Sequence, residues 1–360
     1  MPSTTKTQKI SDFVWLNTSF LGDMILMTGA IMLAKTKYPE ARHHLISTKL
    51  GCEALSSLKL DTYIEFDKSN QRGVVSNIFS VRKKLNRSLR SKESAILFQV
   101  HRSYRSGILA MGLGLKTITY LEADFNPRAY IKVPRVAVFH ESARIALLLE
   151  PVGFSREEIL QVKPWLEAQN LNYAADKPWK EQIDKFQGKI VAIAPGSVWG
   201  TKKWTRTGFT QLAKRLHADE SIGLIILGSN AEIDDAKAIS SLLTGRNQVW
   251  DLAGKTSIKD LNEIYPHLDV LIANDSSPIH YASAFNVPTV AIFGATIEQM
   301  GFGPKADKSI VLGVDLDCRP CSDHGPKTCP LGHFNCMKLI GADRVFEAVK
   351  EVSGTRQFIQ

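Results

Sequence analysis

Several features that would define a function at once are missing from this 360-residue sequence. Its longest apolar tract, around residues 24–34, is too short to span a bilayer and directly follows Asp23. The first nine residues are polar and lack the apolar segment of a secretory signal. No stretch is low in complexity or repeats with a solenoid period. We therefore expect a globular, soluble and cytoplasmic protein.

Cysteine is scarce except in one place. Cys52 stands alone, whereas Cys318, Cys321, Cys329 and Cys336 fall in one loop that is rich in glycine and proline. Without a secretory signal, a disulfide framework is a poor interpretation of this cluster. Four thiols in one loop can hold a structural zinc ion or remain free, and the spacing leaves both alternatives open.

Acidic residues are sparse in the first half of the chain. Residues 1–180 carry 26 Lys and Arg against 16 Asp and Glu, a net charge of +10, whereas residues 181–360 are near −1. A basic face on a helical pattern consists of Arg82, Lys83, Lys84, Arg87, Arg90 and Lys92. It suits an anionic partner such as nucleic acid, a phosphorylated sugar lipid or a membrane surface. No aromatic side chain lies within the run to stack on bases, which argues against nucleic acid.

Strand-like and helical patterns alternate along the chain, which predicts a parallel α/β architecture. The length predicts about two domains. Strands are expected at 13–18, 43–47, 63–66, 95–100, 117–121, 190–194, 223–227, 248–251, 270–273 and 289–293. Helices are expected at 23–37, 75–89, 104–114, 207–217, 232–243, 258–265 and 278–285.

A polar stretch at residues 172–184 is the expected linker. We accordingly expect a first domain over residues 1–175 and a second over residues 185–340. A final helix in residues 341–360 could cross back onto the first domain. Two such domains would face each other across a cleft, where ligands usually bind.

The turn after the first strand carries no GxGxxG fingerprint of a dinucleotide-binding loop. Instead it reads Thr18-Ser19-Phe20-Leu21-Gly22-Asp23. Asp23 is either a helix N-cap or a general base that removes a proton from an attacking hydroxyl.

A second turn, Ala194–Trp204, follows the strand at 190–194. Its glycines, Ser197 and Thr201 offer backbone and hydroxyl donors that suit phosphate. Lys202 or Lys203 would supply positive charge to a departing diphosphate.

A third block, Asp275-Ser276-Ser277-Pro278-Ile279-His280, follows a buried strand and begins a helix. Ligands of open α/β sheets bind at such strand ends, and a helix start there offers free N–H groups to phosphate. His280 lies about one helical turn beyond Asp275 and either faces the same pocket or is a satisfied core residue. Two further turns, at residues 228–232 and 252–256, could line a nucleoside pocket.

Together these blocks resemble glycosyltransferase family 9, the ADP-heptose:lipopolysaccharide heptosyltransferases, and within it the heptosyltransferase II branch. The resemblance spans nearly the whole chain, through 18–23, 194–204, 227–232, 252–256, 273–280, 288–294 and 318–336. Two departures occur. The family's usual Asp-Ser-Gly is Asp275-Ser276-Ser277 here, and its acid after the second strand falls on either Asn230 or Glu232.

The resemblance implies a GT-B fold of two Rossmann-like domains, with the donor held by the second. It implies catalytic roles for Asp23 as base and Lys202 on the donor phosphates. By position it implies that Asp275 holds the heptose and that Ser276, Ser277 and His280 lie beside the diphosphate. The turns described above add the donor-binding candidates Ser197, Thr201, Glu232, Gly254 and Thr256. At the end of the fourth strand, His101, Arg102 and Arg105 are the candidates for acceptor binding.

The implied reaction is an inverting transfer of heptose from ADP-L-glycero-D-manno-heptose to a phosphorylated Kdo-lipid A core at the inner membrane. No cofactor is required for this chemistry. Alternatives are a heptosyltransferase I-like enzyme, a transferase for another sugar, a sugar-nucleotide epimerase of similar shape, and a basic nucleic-acid-binding protein with a zinc loop.

Overall fold

The computed structural model describes residues 10–67, 74–123, 126–171, 176–244 and 248–354. The chain divides into two compact units, Met1–Trp165 and Leu166–Gln360, called the first and second unit below.

The first unit contains a six-stranded sheet in its described residues. All its neighbouring strands pair in parallel, in the order β3-β2-β1-β4-β5-β6. The strands are β1 (Asp12–Leu16), β2 (Arg42–Ser47), β3 (Thr62–Glu65), β4 (Ala95–Gln99), β5 (Lys116–Tyr120) and β6 (Ile131–Val133).

The second unit repeats this topology. Its described strands form a parallel sheet in the order β12-β11-β10-β7-β8-β9, which is the same connectivity written from the other edge. The strands are β7 (Lys189–Ala194), β8 (Ile222–Ile226), β9 (Val249–Asp251), β10 (Val270–Asn274), β11 (Thr289–Ile292) and β12 (Ser309–Leu312).

In each unit the strand order reverses between two central strands, which is where open α/β sheets bind ligands. In the first unit these strands are β1 and β4, with Leu16 opposite Gln99. In the second they are β7 and β10, with Ala194 opposite Ala273. The turns singled out in the sequence therefore follow the strands that flank each reversal point.

The helices surround these sheets. Those of the first unit are α1 (Leu21–Lys37), α2 (Lys49–Ala54), α3 (Val74–Ser88), α4 (Tyr104–Leu113), α5 (Glu141–Ala146) and α6 (Arg156–Leu160). Those of the second are α7 (Pro178–Lys185), α8 (Arg206–His217), α9 (Ile233–Ser240), α10 (Ile258–Ile264), α11 (Ser277–Ala284), α12 (Asn335–Lys338) and α13 (Ala342–Ser353). Every strand and helix expected from the sequence is present, with ends within three residues of the expected ones. The short edge strands β6 and β12 and the helices α2, α5, α6, α7 and α12 are additional.

Helix α1, which carries Asp23, is fixed by close packing within the first unit. A Cβ added at Gly29 would lie 2.3 Å from the Lys163 carbonyl oxygen, so only glycine allows this approach. Next to it, the Trp165 N–H donates to the Thr28 hydroxyl at 2.8 Å. Residues 24–31 are all buried, which explains the long apolar tract without any membrane span.

The stretch expected to be a linker is part of the second unit, apart from residues 172–175, which lie outside the described residues. Lys180 on α7 is buried and lies 2.7 Å from both Asp260 and Glu263. Lys177 pairs with Asp260 at 2.6 Å. The polar composition therefore reflects a buried ion-pair network rather than a solvated hinge, and the unit boundary falls earlier, after Trp165.

The crossing of the last helix back onto the first domain stays a prediction, and the described part of that helix packs in the core of the second unit. Val345, Val349 and Val352 on α13 are buried in the core of the second unit, together with Val290 and Ile292 of β11. The apolar face of α13 therefore covers that sheet.

No helix in the described ranges is both long and apolar enough to cross a membrane.

Candidate active site

A buried asparagine ties the Ala194–Trp204 turn to β10. The Asn274 amide nitrogen donates to the carbonyls of Pro195, at 2.8 Å, and Gly196, at 3.2 Å. Its amide oxygen accepts from the Trp204 N–H at 2.9 Å. Both ends of the turn are thus hydrogen-bonded to one fully buried side chain. This arrangement holds the intervening lysines at the end of the sheet.

Lys202 and Asp275 form an ion pair of 2.6 Å at this sheet edge. Both side chains are largely buried, and the Thr296 hydroxyl donates to the same carboxylate oxygen, Oδ2, at 2.6 Å. Lys203 instead lies 3.7 Å from Asp235. The structure therefore selects Lys202 from the two lysines that the sequence offered.

The tryptophans of the turn have separate surroundings. Trp204 is buried in the core, and its indole N–H donates to the Ile340 carbonyl at 2.9 Å. Trp199 stacks on the His324 ring, with centroids 6.2 Å apart.

His280 on α11 is buried, and burial together with the nearby Lys202 lowers its pKa to about 3. It is therefore neutral near pH 7 and contributes no positive charge. Its Nδ1 atom has no hydrogen-bond partner among the described residues. A neutral imidazole with an unused nitrogen can donate to, or accept from, a bound ligand.

The serines after Asp275 form the start of α11. Ser276 is its N-cap, and its hydroxyl donates to the carbonyls of Asn274, at 3.2 Å, and Gly196, at 3.4 Å. Ser277 is the first helical residue and does not adopt a positive φ. Serine therefore fits without backbone strain where the family usually has glycine.

Thr201 was expected to donate its hydroxyl to phosphate, but in the structure this hydroxyl has a partner within the protein. Its side chain is buried, and its hydroxyl donates to the Pro326 carbonyl at 2.5 Å. The hydroxyl is occupied because the cysteine loop packs directly on this turn. Ser197 remains half-buried, and its hydroxyl accepts from the Trp199 N–H at 3.3 Å.

Three further donor candidates lie at neighbouring strand ends. Glu232 packs against Gly196, where an added Cβ would come within 2.6 Å of its side chain, and it accepts from the Ser229 N–H and hydroxyl. Gly254, at φ +71°, donates from its N–H to the Gly228 carbonyl at 3.0 Å. Thr256 is half-buried in the turn after β9. The contact with Gly196 favours Glu232 over Asn230 as the acid beside the phosphate turn.

In the first unit, the ends of β1 and β4 are joined by a hydroxyl–imidazole cluster. His101 Nδ1 lies 2.9 Å from the Thr18 hydroxyl and 3.2 Å from that of Ser106. Arg102 and Arg105 are exposed beside it at the start of α4. His101 is thus placed next to the turn that carries Asp23, and two exposed cations border this cluster.

Asp23 is not an N-cap, because Phe20 occupies that position and Asp23 is the third residue of α1. Burial, followed by the negative charge of Glu141, raises the pKa of Asp23 to about 6, against opposing hydrogen bonds from Ser19 and the Phe20 N–H. Arg135 lowers it slightly. Asp23 is therefore largely ionised at pH 7 and a stronger base than an ordinary aspartate.

The cysteines do not form a recognisable metal site. Among the described residues, no group of three or more His, Cys, Asp or Glu side chains is arranged to hold a metal ion. None of the five cysteines is in a disulfide. Cys318 Sγ lies 3.9 Å from His333 Nε2. Zinc binding by Cys318, Cys321, Cys329 and Cys336 stays a prediction that metal analysis would decide.

Sequence reasoning missed three residues of these sites. Asn274 ends an otherwise apolar strand, and a polar side chain there was the one available signal. Thr296 and Glu141 are brought to Asp275 and Asp23 from distant parts of the chain, so no local pattern pointed to them.

Comparison with known proteins identifies the protein family of this chain. The model of glycosyltransferase family 9 (heptosyltransferase) matches residues 82–331. The chain belongs to glycosyltransferase family 9. This confirms the resemblance drawn from the sequence motifs.

Relatives of this family 9 member include a lipooligosaccharide heptosyltransferase 2 of Campylobacter jejuni, 34% identical over 168 residues, which are 46% of this chain and 52% of that protein. The chain thus spans about half the length of this relative. A family 9 glycosyl transferase of Veillonella parvula has a TM-score of 0.80, at 18% identity over 95% of this chain and 97% of that one. The ADP-heptose LPS heptosyltransferase II of E. coli has a TM-score of 0.75, at 18% identity over 95% and 98%. The GT-B fold is therefore confirmed.

The Asp23 site gives a prediction that needs no substrate. We expect the Asp23 carboxyl to titrate near pH 6, and Glu141→Gln to move the midpoint lower, because a like charge is removed. Carbon-detected NMR of the labelled carboxyl measures both. Glu150→Gln, which removes a carboxylate paired with Arg156 on the surface, is the control and should leave the midpoint unchanged. An equal midpoint in Glu141→Gln and wild type would contradict the assignment.

Proposed function

We propose that this protein transfers heptose from ADP-L-glycero-D-manno-heptose to the inner core of lipopolysaccharide, as a heptosyltransferase II-like enzyme. The observation that carries the proposal is the Lys202–Asp275 pair at the start of α11, in a chain of family 9. It combines a cation for a diphosphate with a carboxylate for sugar hydroxyls at a strand-order reversal.

The proposed reaction is an inverting displacement. The Asp23 carboxylate accepts the proton of an acceptor hydroxyl, whose oxygen bonds to the anomeric carbon as the bond to the ADP oxygen breaks. Negative charge grows on the leaving diphosphate, where Lys202 and the N–H groups at the start of α11 stabilise it. Neutral His280 offers one more hydrogen bond there. No metal or cofactor takes part in this proposal.

The central test replaces Asp23 by alanine. Because a general base contributes on the order of 10²–10⁴ in rate, Asp23→Ala should lose nearly all transfer while binding ADP as wild type does. Mass spectrometry of defined core acceptors after incubation with ADP-heptose measures transfer, and calorimetry measures ADP binding. The matched control is Glu157→Ala, an exposed carboxylate in the first turn of α6.

Unchanged turnover in Asp23→Ala would remove that residue from the mechanism. The acceptor whose mass increases also shows whether the enzyme adds the first or the second heptose of the core. Consumption of ADP-heptose without any acceptor would favour the epimerase alternative.

Arg102 and Arg105 are proposed to bind anionic groups of the acceptor. Reversing both charges should raise the acceptor KM, by on the order of tenfold or more, and leave the donor KM unchanged, since phosphate contacts with charged donors are strong. Steady-state kinetics with each substrate varied in turn checks this split. A rise in the donor KM alone would contradict the assignment.

We also propose that the protein works at the cytoplasmic face of the inner membrane and binds it through α3. Phe79 is 64% exposed, and with Arg82, Lys83 and Arg87 it borders a shallow depression of about 370 Å³. No acidic residue occurs between Asp67 and Glu93. An exposed aromatic ring among cations suits the interface of an anionic membrane.

Vesicle sedimentation tests this surface. Arg82→Glu/Lys83→Glu/Arg87→Glu should weaken binding to phosphatidylglycerol vesicles by at least about 100-fold, since each basic residue contributes about 1 kcal/mol and each introduced glutamate adds repulsion. Phe79→Ser should weaken it less. The control reverses three exposed lysines of the second unit: Lys214, Lys237 and Lys338. Equal losses in both triple variants would show only a dependence on net charge, and would overturn the proposed surface.

A further inference from the structure

The cysteine loop, residues 318–336, packs on the Ala194–Trp204 turn and on the turn after β11, although none of its thiols has a role in the proposed chemistry. The Pro326 carbonyl accepts from the N–H and hydroxyl of Thr201, next to Lys202. The Cys321 N–H donates to the Ala295 carbonyl at 2.8 Å, next to Thr296. The loop therefore bonds to the residues next to Lys202 and Thr296, the two partners of the Asp275 carboxylate.

Arg319 is the centre of this contact. Among the described residues, its guanidinium donates to four backbone carbonyls: Phe293 at 3.0 Å, Thr296 at 2.8 Å, Gly294 and Val314. These carbonyls lie beyond the ends of β11 and β12, where the sheet ladder no longer satisfies them. Arginine is suited to this place because its planar fork carries five donors, whereas lysine has three on one flexible nitrogen.

The turn that Arg319 contacts carries Thr296, whose hydroxyl is hydrogen-bonded to the Asp275 carboxylate. Thr296 is 2% exposed, and its hydroxyl donates to Oδ2, the carboxylate oxygen that also meets Lys202. The described residues donate no hydrogen bond to Oδ1. The two contacts thus set the rotation of the carboxylate and leave Oδ1 as the oxygen for a ligand.

We propose that Arg319 is a positioning residue of the donor site, acting through Thr296 on the carboxylate of Asp275. The inference rests on the proposed function, since it assigns to Asp275 the sugar part of the donor. It gives the cysteine loop a role that needs neither a metal ion nor a disulfide.

The test compares Arg319→Lys, Thr296→Val and the double variant. Loss of a hydrogen bond to a charged group should raise the KM for ADP-heptose by on the order of tenfold in each single variant, with the acceptor KM unchanged. If Arg319 acts through Thr296, the double variant should show little more than either single change. Thr296→Ser, which keeps the hydroxyl, should restore the donor KM to nearly the wild-type value.

The control is Arg344→Lys, whose arginine donates to the neighbouring Gly313 carbonyl from an exposed position, and it should leave both KM values unchanged. A purely structural Arg319 would lower thermal stability and the active fraction without changing the donor KM, and that result overturns the proposal. The proposal is also overturned if the increase in donor KM of the double variant equals the product of the increases in the two single variants.

If Arg319→Lys does not fold, the variants Thr296→Val and Thr296→Ser still test the proposal. An unchanged donor KM in Thr296→Val shows that the hydroxyl does not position Asp275, and overturns the proposal. A raised KM that Thr296→Ser restores supports it. Wild-type protein that turns over no ADP-heptose would instead refute the proposed function, so the two failures are distinguishable.

Discussion

The second unit depends on one buried amide, that of Asn274, at the point where the strand order reverses. The strands β7 and β10 end side by side, and the turns that follow them also meet through the Ser276–Gly196 hydrogen bond and the Lys202–Asp275 ion pair. Asn274 bonds to both ends of the Ala194–Trp204 turn with its donors and its acceptor. Removing it would leave buried backbone groups unpaired, at about 1–3 kcal/mol each. The position of Lys202 relative to Asp275 follows from this tie.

The two units create different electrostatic environments from similar strand topology. In the second, Lys202 and Thr296 share one oxygen of Asp275, and His280 is kept neutral, so the cation has a fixed partner and a fixed direction. In the first, Glu141 and burial make Asp23 more basic than an ordinary aspartate. One environment suits growing negative charge, and the other suits the acceptance of a proton.

Packing also explains two segments whose composition alone suggested a different role, the polar stretch before β7 and the cysteine loop. The polar stretch before β7 contains Lys177 and Lys180, which are paired with carboxylates of α10 rather than solvated. The cysteine loop bonds through Arg319 and the Pro326 carbonyl to the turns around it. In both cases the side chains that decide the role meet partners distant in sequence.

The fold and the position of the site could be predicted from the sequence, because both depend on local patterns. Alternating apolar strands and amphipathic helices define two parallel sheets, and turn residues such as Asp275 follow strands that end at one sheet edge. Only the tertiary structure showed that Lys202, and not Lys203, pairs with Asp275, and that the Thr201 hydroxyl is hydrogen-bonded to the Pro326 carbonyl. It also placed Thr296 next to Asp275 and Glu141 near Asp23. Those outcomes depend on distances between segments far apart in the chain, which no local spacing of residue types determines.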